Sequence, residues 1–399
     1  MPAEYDQSLG SRVPISFEIG TDETRFDSLR ESWEELEQAS GSRSLFMSWQ
    51  WQRLWWEHYG TARALRLFTA RDDSGRLVGV MPMYLESGRL GPFPIRRLRN
   101  VGTGGDTAPD DLDPLLHPDF ADAVARGFAR EILNLRGQWD EAVCSDLDPE
   151  GPFALAFTKA ADTKRAILLR SAARSIVCAD LPSRWDDYLE QLGAHRRKGL
   201  RRKLRKFESE EQAAVVWHRG ATQVDEAFDR LAGLHRLRWQ TRSGSHAFAS
   251  DRYLSFHRRL MHWLDEQGAL RLLELRARGQ GFAMRYGYRW RDTFYDLQTG
   301  FDPAFADLSP GELGLALAVE HAIGEGCARF DLLRGDYEHK RGLFKQERRS
   351  ADLHAYYGVR TICLVHARSL AAHARSRLNA VVARLRALGQ SAQDGQAGG

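Results

Sequence analysis

DTFYDLQTG (292–300), FDPAFADLSPG (301–311), ELGLALAVEHAIGEG (312–326), CARFDLL (327–333) and RGDYEHKRGLFKQERR (334–349) follow one another without a gap, and their reading decides the fold. The first piece alternates aromatic and polar residues, the period of a strand with two unlike faces. The second is a turn-rich link. The third places Leu313, Leu317, Val319 and Ile323 at helical spacing. The fourth reads as another strand and the last as a charged exit helix. Where the helix begins, Ser309 is a cap, Pro310 suits the first helical position, Glu312 completes a capping box, and Leu308 with Leu313 forms a hydrophobic staple. A helix start after a strand, with Gly311 in its first turn, is a seat for a phosphate. The same residues equally make a good cap with no ligand.

Taken together, LSPG, a small-residue helix ending in AIGEG and FDLLRGD-x-x-x-K resemble the CelD/BcsL-type acetyltransferases. These are a branch of the GNAT superfamily, related in architecture to the Fem-type aminoacyltransferases. The resemblance extends upstream through LHRLRWQTR (234–242) and GQGFAMRYGY (279–288), and more thinly to ARDDSGRLVGVMPMYL (70–85) and DDLDPLL (110–116). It implies an α/β (α+β) chain of tandem GNAT-like domains, each a mixed, mostly antiparallel sheet flanked by helices. The expected division is 1–163, a degenerate first domain; 164–360, the catalytic domain; and 361–399, a basic amphipathic helix and tail.

The resemblance further implies an acyl-CoA donor, acetyl-CoA or a relative, and no metal. Its pantetheine arm would lie along the strand 294–299 that carries Gln298, with the pyrophosphate at Ser309, Pro310 and Gly311, while Tyr295 and His339 count among the residues that bind the acceptor. Asp331, near the end of the neighbouring strand, is placed to orient or deprotonate an amine; a salt bridge to Arg334 or Lys340 is its plain alternative. Arg334, Asp336 and Lys340 match the family's RGD-x-x-x-K positions, and His339 stands where the family usually shows Tyr. Arg238 and Trp239 match an R-W helix end that walls the acceptor pocket. The phosphate loop departs from the usual GNAT pattern, because Pro310 has no N–H and Glu312 brings a carboxylate to the positive helix end. One or two amides remain for an anion, which keeps an aminoacyl-tRNA donor as the alternative.

Composition narrows the setting. With 43% hydrophobic and 28% charged residues in 399, the chain is an ordinary globular one of two-domain size. A net charge of +3 does not by itself point to nucleic acid. Cys144, Cys178, Cys327 and Cys363 have no metal-ligand spacing and read as free thiols. No signal peptide or bilayer-length apolar run is present, so the cytoplasm is the expected compartment.

Elsewhere the signals are local. A strand at 13–20, a helix at 21–40 closed by Gly41, and an aromatic helix at 44–60 open the chain. In that helix Trp51, Leu54, Trp55 and His58 share a face that is either core or a platform for sugar rings. A hairpin at 64–88 precedes a turn-rich stretch, 91–116, read as a loop, in which Asp110, Asp111 and Asp113 can face a cationic substrate group. RRKGLRRKLRK (196–206) carries eight Lys and Arg, either a solvated helix face or a grip for phosphates or tRNA. The loop TRSGSHAF (241–248) can close over a site. The basic helix 366–389 either docks on the first domain or touches an anionic membrane surface. The function expected is therefore N-acyl transfer to an amine on a small molecule or saccharide, in polysaccharide, envelope or specialised-metabolite biosynthesis. A non-catalytic glycan-binding or scaffold module is the alternative from another class.

Overall fold

The computed structural model describes residues 14–164, 166–239, 247–335, 343–344, 346–358 and 360–366, with the backbone alone at Trp239 and Ala247. The first half holds β1 (Ser16–Gly20), α1 (Thr24–Ser28), α2 (Arg30–Ser40), α3 (Trp49–Tyr59), β2 (Ala64–Arg71), β3 (Leu77–Leu90), β4 (Phe93–Asn100), β5 (Leu115–Leu116), α4 (Ala121–Asn134), β6 (Glu141–Leu147) and α5 (Pro152–Thr163). Then come β7 (Ile167–Arg170), β8 (Arg174–Asp180), α6 (Trp185–Gln191), α7 (Ala194–Glu208), β9 (Ala214–His218), α8 (Ala221–Trp239) and α9 (Asp251–Glu266). The chain continues through β10 (Leu270–Ala277), β11 (Gln280–Trp290), β12 (Thr293–Phe301), α10 (Pro310–Gly324), β13 (Arg329–Asp331) and β14 (Gln346–Tyr356).

All strands join one sheet in the order β1-β2-β3-β4-β6-β14-β8-β13-β12-β11-β10-β9, with β5 beside β3 and β7 beside β14. Two neighbour pairs are parallel, β4 with β6 and β12 with β13, and each is linked through a helix, α4 or α10. The same strand–helix–strand unit therefore occurs once in each half, within an otherwise antiparallel sheet. This is the mixed, mostly antiparallel architecture the resemblance implied.

The hairpins are made locally. Arg278 (φ 55°) and Gly279 (φ 78°) both take the left-handed conformation that a two-residue turn needs to match strand twist. The Arg278 guanidinium offsets its own strain by forking onto Glu210 at 2.7 and 2.9 Å.

Two strands depart from expectation. Residues 93–100 form β4 rather than part of a loop. Its three arginines reach carboxylates from other elements, Arg96 to Asp140, Arg97 to Glu141 and Arg99 to Glu86. Residues 346–349, expected in an exit helix, begin β14 instead, because β8 offers them an open edge. Their strand then crosses over: Gln346–Ser350 pairs with β8, while Leu353–Tyr356 pairs with β6 and β7. The end of the expected second domain thus closes the sheet of the first, as does β7, which lies past the expected boundary.

Among the described residues three large apolar cores hold the sheet, with a fourth small cluster at Leu90, Ile95, Tyr356 and Val365. One packs α4 and α5 on the first half and one packs α10 and α7 on the second. The third joins the halves, with Trp33, Trp51 and Trp55 meeting Phe228, Phe256, Tyr286 and Tyr288. The aromatic face at Trp51, Leu54 and Trp55 is therefore core, each side chain 2% exposed or less. Among the described residues, no helix is long and apolar enough to cross a membrane.

Candidate active site

β12 and β13 run together for only three residue pairs, ending at Tyr295↔Asp331. Beyond that point β12 continues to Phe301 with no strand on this edge among the described residues, and its backbone faces a notch. Opposite Tyr286 and Gly287 the ladder slips by one residue, leaving Leu297 as a bulge at the point where the strands part. α8 presses on the far end of β12: a Cβ on Gly300 would lie 2.5 Å from the His235 backbone nitrogen. Only glycine lets helix and strand approach this closely.

The chain leaves β13 through a tied turn. Leu333 has φ 52°, and its N–H donates to Asp331 Oδ1 at 2.8 Å. The next N–H, of Arg334, donates to Asp110 Oδ2 at 2.6 Å, and Arg334 Nε reaches Asp110 Oδ1 at 3.1 Å. Asp331 is held from its other side by Arg348 Nε at 2.7 Å, and Arg348 also bonds Asp111. Arg334 pairs with Asp146 as well, and Arg174 binds both Asp146 and Asp352. Burial pushes the Asp110 carboxyl up to about 6, against the pull of Arg348 and Arg334. Asp110 and Asp111 thus face the protein's own guanidinium groups, and Asp113 accepts the Asp148 N–H at 2.7 Å.

At the notch lies a cavity of about 320 Å³. Leu297, Gln298, Leu333 and Arg334 form one side, Tyr253 and His257 of α9 the other, and Asp106–Pro109 of the first half the rim. Gln298 Nε2 donates to the Tyr253 hydroxyl at 3.1 Å. Burial pushes the His257 imidazole down to about 3, against a weaker upward pull from Asp106, so the ring is neutral at physiological pH. His257 Nδ1 is buried with no hydrogen-bond partner among the described residues. Asp106 is exposed at the rim and accepts the Tyr59 hydroxyl.

Of the residues singled out from sequence, Gln298 and Arg334 line this cavity. Asp331 does not; among the described residues its ion-pair partner is Arg348 rather than Arg334, and Lys340 lies outside them. Tyr295 is core, stacked on Tyr288 at 5.0 Å with its hydroxyl on Arg43 O at 2.6 Å. Arg238 lies along the β12 edge beyond the cavity, 3.4 Å from Thr299 O and over the Phe301 ring. Asp336, His339 and Lys340 lie outside the described residues, as do the Trp239 side chain, most of the loop 241–248 and the basic helix beyond 366.

Pro310 opens α10 as expected, but the capping box does not form. Ser309 is left-handed (φ 54°, ψ 56°) with no side-chain cap bond, and Glu312 is drawn instead to Lys203 of α7. Ser309 N–H donates to Ala306 O, and the Glu312 and Leu313 amides both use Ser309 O. Gly311 keeps the one amide of this turn that no backbone acceptor takes. Residues 309–311 do not line the cavity, and of the one or two amides expected to remain for an anion, that of Gly311 is left without a backbone acceptor among the described residues.

His257 and Asp106 escaped the sequence reading. A histidine one turn from Tyr253, on the apolar face with Phe256 and Leu260, was the available signal for the first. Asp106 was hidden in GTGGD, which reads as a turn whatever its side chain does.

Residues 194–341 match the family model described as an acetyltransferase (GNAT) domain. That stretch, which begins at α7 and takes in β12, α10 and β13, is similar to a GNAT-type acetyltransferase domain. No curated protein matches the chain. Among solved structures, one titled FemX superimposes with a TM-score of 0.55 at 10% identity, covering 87% of this chain and 98% of its own. A conserved protein of unknown function from Bacteroides thetaiotaomicron VPI-5482 gives 0.51 at 11% identity, covering 86% of this chain and 100% of its own. At these identities the likeness is one of fold.

Proposed function

We propose that the chain transfers an acyl group from acyl-CoA to a primary amine, with the reaction at the notch between β12 and Leu333. The observation that carries this reading is the cavity opening where β12 loses its parallel neighbour, beside the Leu297 bulge. A free strand edge there can hold the amide groups of a pantetheine arm, and a peptide N–H beside the bulge can polarise the thioester carbonyl. The donor's phosphate end then runs past Arg238 toward the Gly311 amide and the cations of α7.

The acceptor amine occupies the cavity. Asp106 at the rim attracts its ammonium and takes one proton out to solvent, while the neutral His257 ring orients the amine by accepting a hydrogen bond. The nitrogen then forms a bond to the acyl carbon, the carbon–sulfur bond breaks, and the CoA thiol leaves with the remaining proton. In this scheme Asp331 is a positioning residue, because its carboxylate is spent on Arg348 and on the Leu333 turn. Arg334, fixed by Asp110, shapes the cavity wall. Asp336 and Lys340, which match the family's RGD-x-x-x-K positions, are further candidate catalytic residues in this reading, and a cytoplasmic setting follows from the donor.

A second reading, transfer from aminoacyl-tRNA, has its own support. Arg196, Lys198, Arg201, Arg202 and Arg205 are exposed on α7, which meets the start of α10 through Lys203 and Glu312. Calorimetry with acetyl-CoA separates the two. Binding heat that disappears in Gly311→Trp supports the first, since a Cβ there meets only Phe301 at 3.8 Å and the backbone tolerates the change. No heat with the intact chain, together with salt-sensitive tRNA retention on filters, overturns it in favour of the second.

A further inference from the structure

A second cavity, of about 510 Å³, lies between the two halves at the other end of the β11–β12 hairpin. Its walls are Trp263 at the end of α9 and Trp290 at the end of β11, both half-buried, with ring centroids 5.7 Å apart and planes inclined at 47°. Two half-buried indoles at that angle line a trough. The floor is Trp49, whose indole N–H is already used on Phe26 O at 2.7 Å. From Thr293 to Gln298 the strand spans about 16 Å, so the trough is separate from the reaction cavity.

The polar groups around the trough have a distinctive balance. Arg30 and Arg291 stand against Glu34 and Glu37, an excess of at most one positive charge when Glu37 holds its proton, and Gln38, Gln50 and Gln267 add planar amides that both donate and accept. Glu37 is 8% exposed, and burial pushes its carboxyl up to about 7, so it too can donate as well as accept near neutrality. A polyanion would call for a larger cationic excess than this rim carries. A ligand with apolar ring faces and many neutral hydroxyls matches both the indoles and the rim.

We propose that this trough is a carbohydrate-binding site that takes a neutral pyranose chain, with ring faces stacked on Trp263 and Trp290 and hydroxyls bonded to Glu37, Gln267 and Arg291. The site stands whether or not the chain transfers acyl groups. In an acyltransferase it would hold a saccharide acceptor, or a polymer bearing one, at a distance from the chemistry.

Calorimetric titration of the full chain with cellotetraose, xylotetraose and maltotetraose tests it. At least one is expected to bind, with affinity about tenfold weaker in Trp263→Ala and a few-fold weaker in Gln267→Ala. Gln267 is exposed, so its variant keeps the test valid if loss of Trp263 harms folding. No heat from any of the three at millimolar concentration overturns the proposal, as does binding that is unchanged in both variants. Acetyl-CoA heat, measured on the same samples, reports separately on the transferase reading.

Discussion

Arg348→Met isolates the contact on which the geometry of the notch depends. Arg348 bridges Asp331, whose side chain is 3% exposed, to Asp111, and thereby links the end of β13 to the first half of the chain. Methionine keeps most of the side-chain volume and removes the charge. Two carboxylates are then left without their cation, Asp331 in a site closed to water. Breaking a buried pair in this way costs about 3–5 kcal/mol, a large part of the ~5–15 kcal/mol that holds a typical domain together. Urea unfolding, followed through the eleven tryptophans, measures the loss as a lower midpoint at constant slope. Adding Asp331→Asn to Arg348→Met should recover about 1–2 kcal/mol, because the second change removes the charge that the first one stranded. A loss below about 1 kcal/mol for Arg348→Met, or no recovery in the double variant, would refute the argument. Turnover gives an independent reading. If Asp331 only positions Leu333 and Arg334, Asp331→Asn lowers kcat without moving the acid limb of the pH profile; disappearance of that limb would return it to the role of base.

Further outcomes follow from single contacts. Gly300→Ala drives a methyl into the α8 backbone, which cannot yield as a side-chain tip can, so a loss of about 1–3 kcal/mol and weaker acetyl-CoA binding are expected in parallel unfolding and calorimetry runs. Asp106→Asn should lower kcat/KM for the amine by about 100-fold while leaving acetyl-CoA affinity alone, as initial rates over an amine series will report. His257→Phe keeps the ring and removes the acceptor nitrogen; a comparable fall in kcat at unchanged thermal midpoint is expected, and full activity would remove His257 from the mechanism. Glu37 has a folded-state pKa raised from 4.5 to about 7, so the folded chain keeps a proton that the unfolded chain releases. Its contribution is intact below pH 4.5 and falls by up to about 3 kcal/mol as pH rises through 7. Glu37→Gln should flatten that part of the stability profile, and an unaltered profile would show that Glu37 does not titrate in this range.

The regular elements were legible because their causes are local. Alternation along β12 and the apolar spacing of α10 act within a few residues, and each element formed where its pattern stood. So did Pro310 at the head of its helix. β4 was missed since its arginines look like loop residues until Glu86, Asp140 and Glu141 are beside them, and those carboxylates lie as many as 44 residues away. Ser309 and Glu312 had the local makings of a capping box, but Lys203, over a hundred positions upstream, captured the carboxylate.

The candidate site divides in the same way. Gln298 and Arg334 could be found from their places on a strand and at its end. That Arg334 answers to Asp110, 224 residues away, and that Asp331 is tied to Arg348 depended on how the halves meet. Neither the cavity at the notch nor the tryptophan trough exists within one segment: each is the space left where residues of the first half close on α9 and the β11–β12 hairpin of the second. Side-chain period is a property of neighbours along the chain, whereas burial, charge pairing and empty volume belong to surfaces brought together from distant parts of it.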